Sequence, residues 1–300
     1  MPALLVVSSK PLAGKSTLAA GIARGFAEDG ARVRLERVGA GDAAAQDAKT
    51  FATLPFASAS GQALARPPRA AAGETLIVEL DAGTAPPAGV PAVIAVRGAP
   101  DEADRALLAE SLRDRLAGSI AVAVDPASVE AVARQLTDGG LRPLAILPED
   151  LVLAAPSVGE IGATLNAKVL YDGENADEVV EDVVIAPVYA DPARPHFHRF
   201  DSKAILAPFN KTDLHLAALE ARAACLVITG GRDPSPYVID RAQHEPTTIL
   251  LSSHDTPGTV NALAEVWTAN RFRGGRKAEA AYAALRGRLD FASLARKLNP

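Results

Sequence analysis

This chain predicts an α/β fold, a parallel sheet covered by helices, and three observations carry the prediction. Short apolar runs alternate with helical patterns along its 300 residues, which is how strands joined by crossover helices look in sequence. The first run, Leu4-Leu5-Val6-Val7, passes through a short loop into Gly14-Lys15-Ser16-Thr17 and then a helical pattern. At Pro156-Ser157-Val158-Gly159-Glu160-Ile161 a fresh helix opens after a proline, where one alternating series stops and another starts. A second, smaller α/β unit follows from that restart.

In the first half, strands are predicted at Ala3–Ser8, Val33–Arg37, Thr75–Leu80, Ala92–Val96, Ser119–Val124 and Leu144–Leu147. Helices are predicted at Lys15–Glu28, Glu102–Ala117 and Pro126–Thr137, the last marked by the Asp125-Pro126 pair, a cap followed by a first-turn proline. The Pro/Ala-rich runs Arg66–Gly73 and Thr84–Pro91 are surface loops, too short to separate domains. The second half predicts strands at Lys168–Tyr171, Asp182–Val188, Lys203–Ala207, Ala224–Thr229 and Thr247–Ser252, with helices at Asp213–Ala223, near Pro236–His244 and at Thr256–Ala269. Residues 1–150 are assigned to the first domain, 151–269 to the second and 270–300 to a helical tail.

Composition narrows the function classes. With 48% hydrophobic residues the chain can build ordinary helix–sheet cores. A net charge of −5 argues against nucleic acid as a partner, because that needs a clustered basic field. Eight Lys/Arg against two acids in residues 271–297 read as a solvated helix face rather than an anion site. The single cysteine, Cys225, lies in an apolar strand and has no internal disulfide partner, which fits a reducing cytoplasm. No export signal and no membrane-spanning stretch is read.

The segment Ser9-Lys10-Pro11-Leu12-Ala13-Gly14-Lys15-Ser16-Thr17 carries the chemistry, reading as a phosphate-binding P-loop. A strand that ends in a loop of converging N–H groups, followed by the positive end of a helix, holds polyphosphate. Backbone from Leu12, Ala13, Gly14, Lys15, Ser16 and Thr17 would cradle ATP, with Lys15 on the terminal phosphates and the Ser16 hydroxyl on Mg²⁺. Ser9 stands where the usual G-x-x-x-x-G-K-[ST] pattern has its first glycine. The alternative is a strand–turn–helix that holds no ligand.

Acids complete the candidate site. Leu76-Ile77-Val78-Glu79-Leu80-Asp81 ends a strand with two carboxylates on one side, and either could hold Mg²⁺ directly or through water. Asp42 and Asp47 lie in a Gly/Ala-rich segment read as a switch-like loop meeting γ-phosphate and metal. His196 and His198 lack further ligands and read as part of a loop or edge strand. His215 and His254 read as ordinary surface residues. In the second unit, Thr229-Gly230-Gly231-Arg232 and Phe209-Asn210-Lys211-Thr212-Asp213 are either anion sites or a tight turn and a capped helix start.

Taken together these residues resemble dethiobiotin-synthetase-like P-loop ATPases followed by a DRTGG domain, the pair found in the N-terminal regulatory portion of long bacterial phosphate acetyltransferases. Gly14-Lys15-Ser16, Glu79, Pro148-Glu149-Asp150 and the Pro156–Ile161 run carry the likeness in the first half. Val180–Ile185, Asn210–Leu219 and Leu226–Gly231 carry it in the second. The resemblance implies a P-loop parallel-sheet domain with a smaller DRTGG-like α/β domain, ATP and Mg²⁺ as cofactors, and Ser16, Asp47 and Glu79 at the metal. It also implies a small-molecule or nucleotide effector at the second domain. Lys10 matches a signature lysine that one branch of P-loop ATPases directs at a nucleotide across a dimer interface, so Lys10 joins Lys15 in the expected catalytic set and a homodimer is implied. The chain departs from the family at Leu80-Asp81, at Gly118–Val122, which lacks a base-reading asparagine, and at Lys211-Thr212. The acetyltransferase catalytic domain is missing from these 300 residues, so acetyl transfer is not expected of them. The function that follows is a slow or partner-stimulated ATPase with a regulatory role. Its rivals are a non-hydrolysing nucleotide sensor and a ligase forming an acyl phosphate on a small acid.

Overall fold

The computed structural model describes residues 2–186, 195–198, 201–243, 245–269 and 271–298. They divide into two compact units, Met1–Leu153 with Gly274–Pro300, and Ala154–Arg273.

The first unit is an α/β layer structure. Its strands are β1 (Ala3–Val7), β2 (Val33–Val38), β3 (Thr75–Leu80), β4 (Ala92–Arg97), β5 (Leu116–Val124) and β6 (Pro143–Pro148), and its early helices are α1 (Lys15–Glu28), α2 (Gly41–Ala52), α3 (Glu102–Leu107) and α4 (Val129–Asp138). The six strands are all parallel and stand in the order β2-β3-β1-β4-β5-β6. Leu4, Leu5, Val6 and Val7 are buried, as a central strand covered on both faces requires. Register then brings the site together, because Glu79 stands opposite Val6 on one side and opposite Arg37 on the other. Partners in parallel register face the same way, so Arg37 and Glu79 share a face with Ser8, two residues beyond Val6.

Two segments differ from expectation. Residues 41–52, read as part of a switch-like loop, form α2, since Ala43-Ala44-Ala45 and Ala48 favour helix and Ala44, Ala48 and Phe51 are buried. The helix predicted over Glu102–Ala117 stops at Leu107, continues as a π turn to Leu112 and yields to β5 from Leu116. Sheet pairing wins there: Ala92 N–H donates to Arg115 O at 2.9 Å and Ala92 stands opposite Leu116.

The C-terminal residues belong to this unit rather than forming a separate solvated tail. In the second unit, numbered next, helices are α5 (Val158–Thr164), α6 (Thr212–Glu220), α7 (Pro236–Ala242), α8 (Thr256–Leu263) and α9 (Val266–Ala269); the C-terminal helices are α10 (Gly274–Leu285) and α11 (Phe291–Leu298). They pack on α1 where it carries glycines. A Cβ on Gly21 would stand 2.9 Å from Leu285 Cδ1, and one on Gly25 only 2.1 Å from Phe291 Cε1. Phe26 meets Phe291 edge to face, with ring centroids 6.0 Å apart. Arg24 donates to Glu279 at 2.8 Å and lies over the Tyr282 ring. The apolar positions of α10 and α11 therefore face α1 instead of water.

The second unit is a mixed sheet with helices. Its strands β7 (Lys168–Tyr171), β8 (Asp182–Ile185), β9 (Lys203–Pro208), β10 (Cys225–Thr229) and β11 (Thr248–Leu251) are ordered β7-β11-β10-β9-β8, with β7 antiparallel to β11 and the rest parallel. Helix α5 starts with a capping box, Ser157 Oγ accepting from Glu160 N–H at 3.2 Å and Glu160 accepting from Ser157 N–H at 2.9 Å. Such a cap contributes about 1 kcal/mol. Lys203 is buried, and its Nζ donates to Ala221 O at 3.0 Å, serving the end of α6. Cys225 is buried on β10. The ends of the strand predicted to Val188 and of the helix predicted to His244 lie outside the described residues, as do parts of the 270–300 segment. Residues 195–197 form a helical turn rather than an edge strand, with Phe197 buried.

Candidate functional site

The loop from Ser8 to Gly14 leaves β1 and enters α1 with two residues of positive φ. Leu12 sits at φ 55° and Gly14, at the helix N-cap, at φ 81°. A Cβ on Gly14 would come within 2.8 Å of Val122 Cγ2, so both backbone sign and space require glycine. Among the described residues no N-cap side chain serves the first-turn N–H groups of α1.

Lys15 is 6% exposed, and its Nζ donates to Ser8 Oγ at 2.9 Å. Burial pulls its pKa below the ordinary lysine value, and Glu79 opposes that pull. Ser16 Oγ donates to Glu79 Oε1 at 3.1 Å. The sequence-predicted Lys15, Ser16 and Glu79 thus come together. Glu79 is fully buried, and burial pushes its pKa up to about 7; Arg37 works against the rise and Asp47 adds to it. Its Oε2 is buried without a hydrogen-bond partner among the described residues.

The other acids meet through a residue that the sequence reading did not single out. Arg37, 5% exposed at the end of β2, has its Nε 3.5 Å from both Asp47 Oδ2 and Glu79 Oε1. Its guanidinium also pairs with Asp81 and donates to Val38 O. Burial disfavours the Arg37 charge, yet Glu79, Asp81 and Asp47 outweigh it and hold its pKa above the ordinary value. Burial would raise Asp81, but hydrogen bonds from Arg37 and from Ala40 N–H, the latter at 3.1 Å, bring it below the usual carboxylate range. Asp47 is therefore brought into the cluster through Arg37, while Asp42 is exposed on α2. The signal for Arg37 was available: Glu36-Arg37 are adjacent charges between Leu35 and Val38 in a strand, and both are buried.

Lys10 lies on the other side of the loop and is half-exposed. It is ion-paired with Asp101 of its own chain. Ser9 Oγ donates to Asp104 Oδ1 at 2.6 Å, and Asp101 and Asp104 form the capping box that opens α3. Ser9 thus ties the loop to a helix start, a pairing that loop spacing alone does not reveal.

With respect to Mg²⁺, the donor set fits in part. Ser16 hydroxyl and the unpartnered Glu79 Oε2 are the right oxygen donors for a hard cation. Asp47 and Asp81 are engaged by Arg37, and among the described residues no group of three or more His, Cys, Asp or Glu side chains is arranged to hold a metal ion.

Comparison with known proteins bears on the second unit. Residues 160–266 match the DRTGG domain family. The second unit contains a DRTGG domain. Over 170 residues the chain is 27% identical to a phosphate acetyltransferase of Nitratidesulfovibrio vulgaris, covering 52% of this chain and 24% of that enzyme. The chain thus spans about a quarter of that relative's length. Among solved structures, the CBS and DRTGG domains of the regulatory region of Clostridium perfringens pyrophosphatase, complexed with its activator diadenosine tetraphosphate, match 49% of this chain and 74% of that chain at 17% identity, with a TM-score of 0.32. A score that low carries nothing about ligand or fold here.

Within the DRTGG domain the glycine pair is a turn whose N–H groups are already used. Gly230 N–H donates to His254 O at 2.7 Å and Gly231 N–H to Ser252 O at 3.0 Å, and both have positive φ. His215 is buried, not a surface residue: its side chain packs under β9 with Nε2 2.9 Å from Pro208 O and Nδ1 unpartnered among the described residues. His254 is exposed. A groove of about 300 Å³ is lined by Gly159, Gly162, Asn166, Asp172, Thr248 and Leu250, among others. No helix of the described residues is long and apolar enough to cross a membrane.

Proposed function

We propose that this chain is a nucleotide-binding regulatory protein in which the first unit takes ATP on the loop from Leu12 to Thr17. The carrying observation is Lys15: a buried ammonium beside Ser8, behind a left-handed Gly14 and an uncapped helix start. A cation that burial disfavours gains most from an anion, and the uncapped N–H groups and helix dipole offer that anion its remaining contacts. Lys15 would lie on the β/γ oxygens. Ser16 and Glu79 would hold Mg²⁺, whose role when bound is to neutralise phosphate charge. Asp47 would join them only once released from Arg37. Lys10 would supply further charge after leaving Asp101, in the homodimer that its resemblance implies.

Turnover on this reading is slow or partner-stimulated, and its chemistry is positioning and charge stabilisation rather than covalent catalysis. The DRTGG domain is read as the regulatory partner of the nucleotide site, with its 300 Å³ groove as the place for a small effector. Calorimetric titration with ATP and Mg²⁺, run on wild type and Lys15→Ala while ADP release is followed, tests the reading. Binding and slow release by wild type, with binding about tenfold or more weaker in Lys15→Ala, are expected. Binding without release leaves the non-hydrolysing sensor, and equal binding by both proteins contradicts the assignment of the loop.

A further inference from the structure

We propose that the groove of the DRTGG domain takes a small molecule with an apolar body and one ammonium group, paired with Asp172, and turns phosphorylated ligands away. This deepens the reading of that groove as the effector site and rests on it. The nucleotide loop of the first unit plays no part in it.

The groove lies within the second unit. Helix α5 supplies Gly159, Gly162 and Ala163, whose lack of bulk leaves room against Thr248 and Leu250 of β11, and Val169 of β7, 55% exposed, adds an apolar wall. Its volume of about 300 Å³ stands at the small end of the range that ligand sites occupy. An anion finds few partners there. Among the described residues no Lys, Arg or His lines the groove, and the neighbouring Lys168 Nζ is 3.5 Å from Asp233. The backbone donors at the start of α5 are already used: Val158 N–H donates to Glu178 O at 3.0 Å, Gly159 N–H to Ala176 O at 2.8 Å and Glu160 N–H to Ser157 Oγ at 3.2 Å. Those after its end are used too, Asn166 N–H on Ala163 O and Ala167 N–H on Gly162 O. The Thr248 hydroxyl donates to Asn175 Oδ1. A phosphate entering the groove would give up water with no cation to replace it.

A cation meets the opposite situation. Asp172 is the charged residue of the lining; its Oδ1 accepts from Glu174 N–H at 2.9 Å, and its other oxygen has no hydrogen bond among the described residues. An ammonium group placed there gains a carboxylate, while an apolar body covers Val169 and Leu250. Asp172 is exposed, so the charge preference is that of a surface pair, about two- to fivefold in affinity.

The test is a set of titrations of the full chain, labelled with ¹⁵N, with benzylamine, benzyl alcohol and benzylphosphonate, which share one body and differ in charge. The amide shifts of Gly159, Gly162, Ala167 and Val169 are followed in wild type and in Asp172→Asn, which keeps an oxygen for Glu174 N–H and removes the charge. Benzylamine is expected to move these amides and to bind about two- to fivefold more tightly than benzyl alcohol, benzylphosphonate to move none of them, and Asp172→Asn to erase the preference for benzylamine. Equal binding of benzylamine and benzyl alcohol by wild type, or a preference that survives Asp172→Asn, overturns the pairing with Asp172 and leaves the groove as the effector site. Benzylphosphonate shifting the groove amides overturns the exclusion of phosphorylated ligands. No shift with any probe overturns the proposal and the effector reading of the groove together, while the ATP titration decides the nucleotide loop separately. Should Asp172→Asn not fold, the order of the three probes on wild type still decides the charge preference.

Discussion

His215 has a definite consequence at the scale of one side chain. Burial lowers its pKa below 6.5, more than the Pro208 carbonyl and Asp213 raise it. Above that value both folded and unfolded chains are neutral there; below it the unfolded chain takes the proton first, so stability falls with falling pH until the folded side chain also protonates. His215→Gln is expected to lose less melting temperature between about pH 7 and pH 5 than wild type. An equal loss in both would remove His215 as a source of acid sensitivity. Cys225, its thiol pushed up to about 12 by burial, is expected to resist thiol reagents until the protein unfolds. The Lys10–Asp101 pair is exposed on both sides, and such pairs contribute roughly 0–1 kcal/mol. Asp101→Asn should therefore tighten ATP by no more than about fivefold; a larger change would mean that Asp101 does more than hold Lys10.

Elements carry the clearest comparison between sequence and structure. Strands β1, β3, β4 and β10 were legible because buried parallel strands read as unbroken Val/Ile/Leu runs. Helix α1 was legible from its glycine entry and α5 from the proline before it, while the capping box that opens α5 is a finding of the structure. Helix α2 was not, because glycines at 39 and 41 suggested a loop while the burial of Phe51 and Ala48, which decides the matter, is a tertiary property. The site divides in the same way. Lys15, Ser16 and Glu79 follow from motif and strand alternation, whereas Arg37 and the Asp101/Asp104 anchor depend on strand order and on which helix start the loop meets. Gly21 and Gly25 likewise gain meaning only from the helices that press on them. Gly25→Val is expected to cost about 1–3 kcal/mol by overpacking against Phe291, read by thermal melting. No loss would show that α11 does not pack on α1.

At the scale of the molecule, the chain pairs a six-stranded parallel unit that carries the candidate nucleotide loop with a DRTGG domain. The first unit is closed by chain from the far end of the sequence, since Gly274–Pro300 belongs to it. Deleting residues 274–300 is expected to lower the melting temperature of the first unit by exposing the Gly21/Gly25 face of α1, and an unchanged transition would contradict that packing. On the proposed reading, a nucleotide on the loop and an effector in the groove would be separate events, since the two sets of residues belong to different units. The measurement that bears most directly on the central claim is amide hydrogen exchange with and without ATP and Mg²⁺. Slowed exchange at residues 12–17 is expected, absent in Lys15→Ala. Protection confined to residues 154–273, or none at all, would contradict the account.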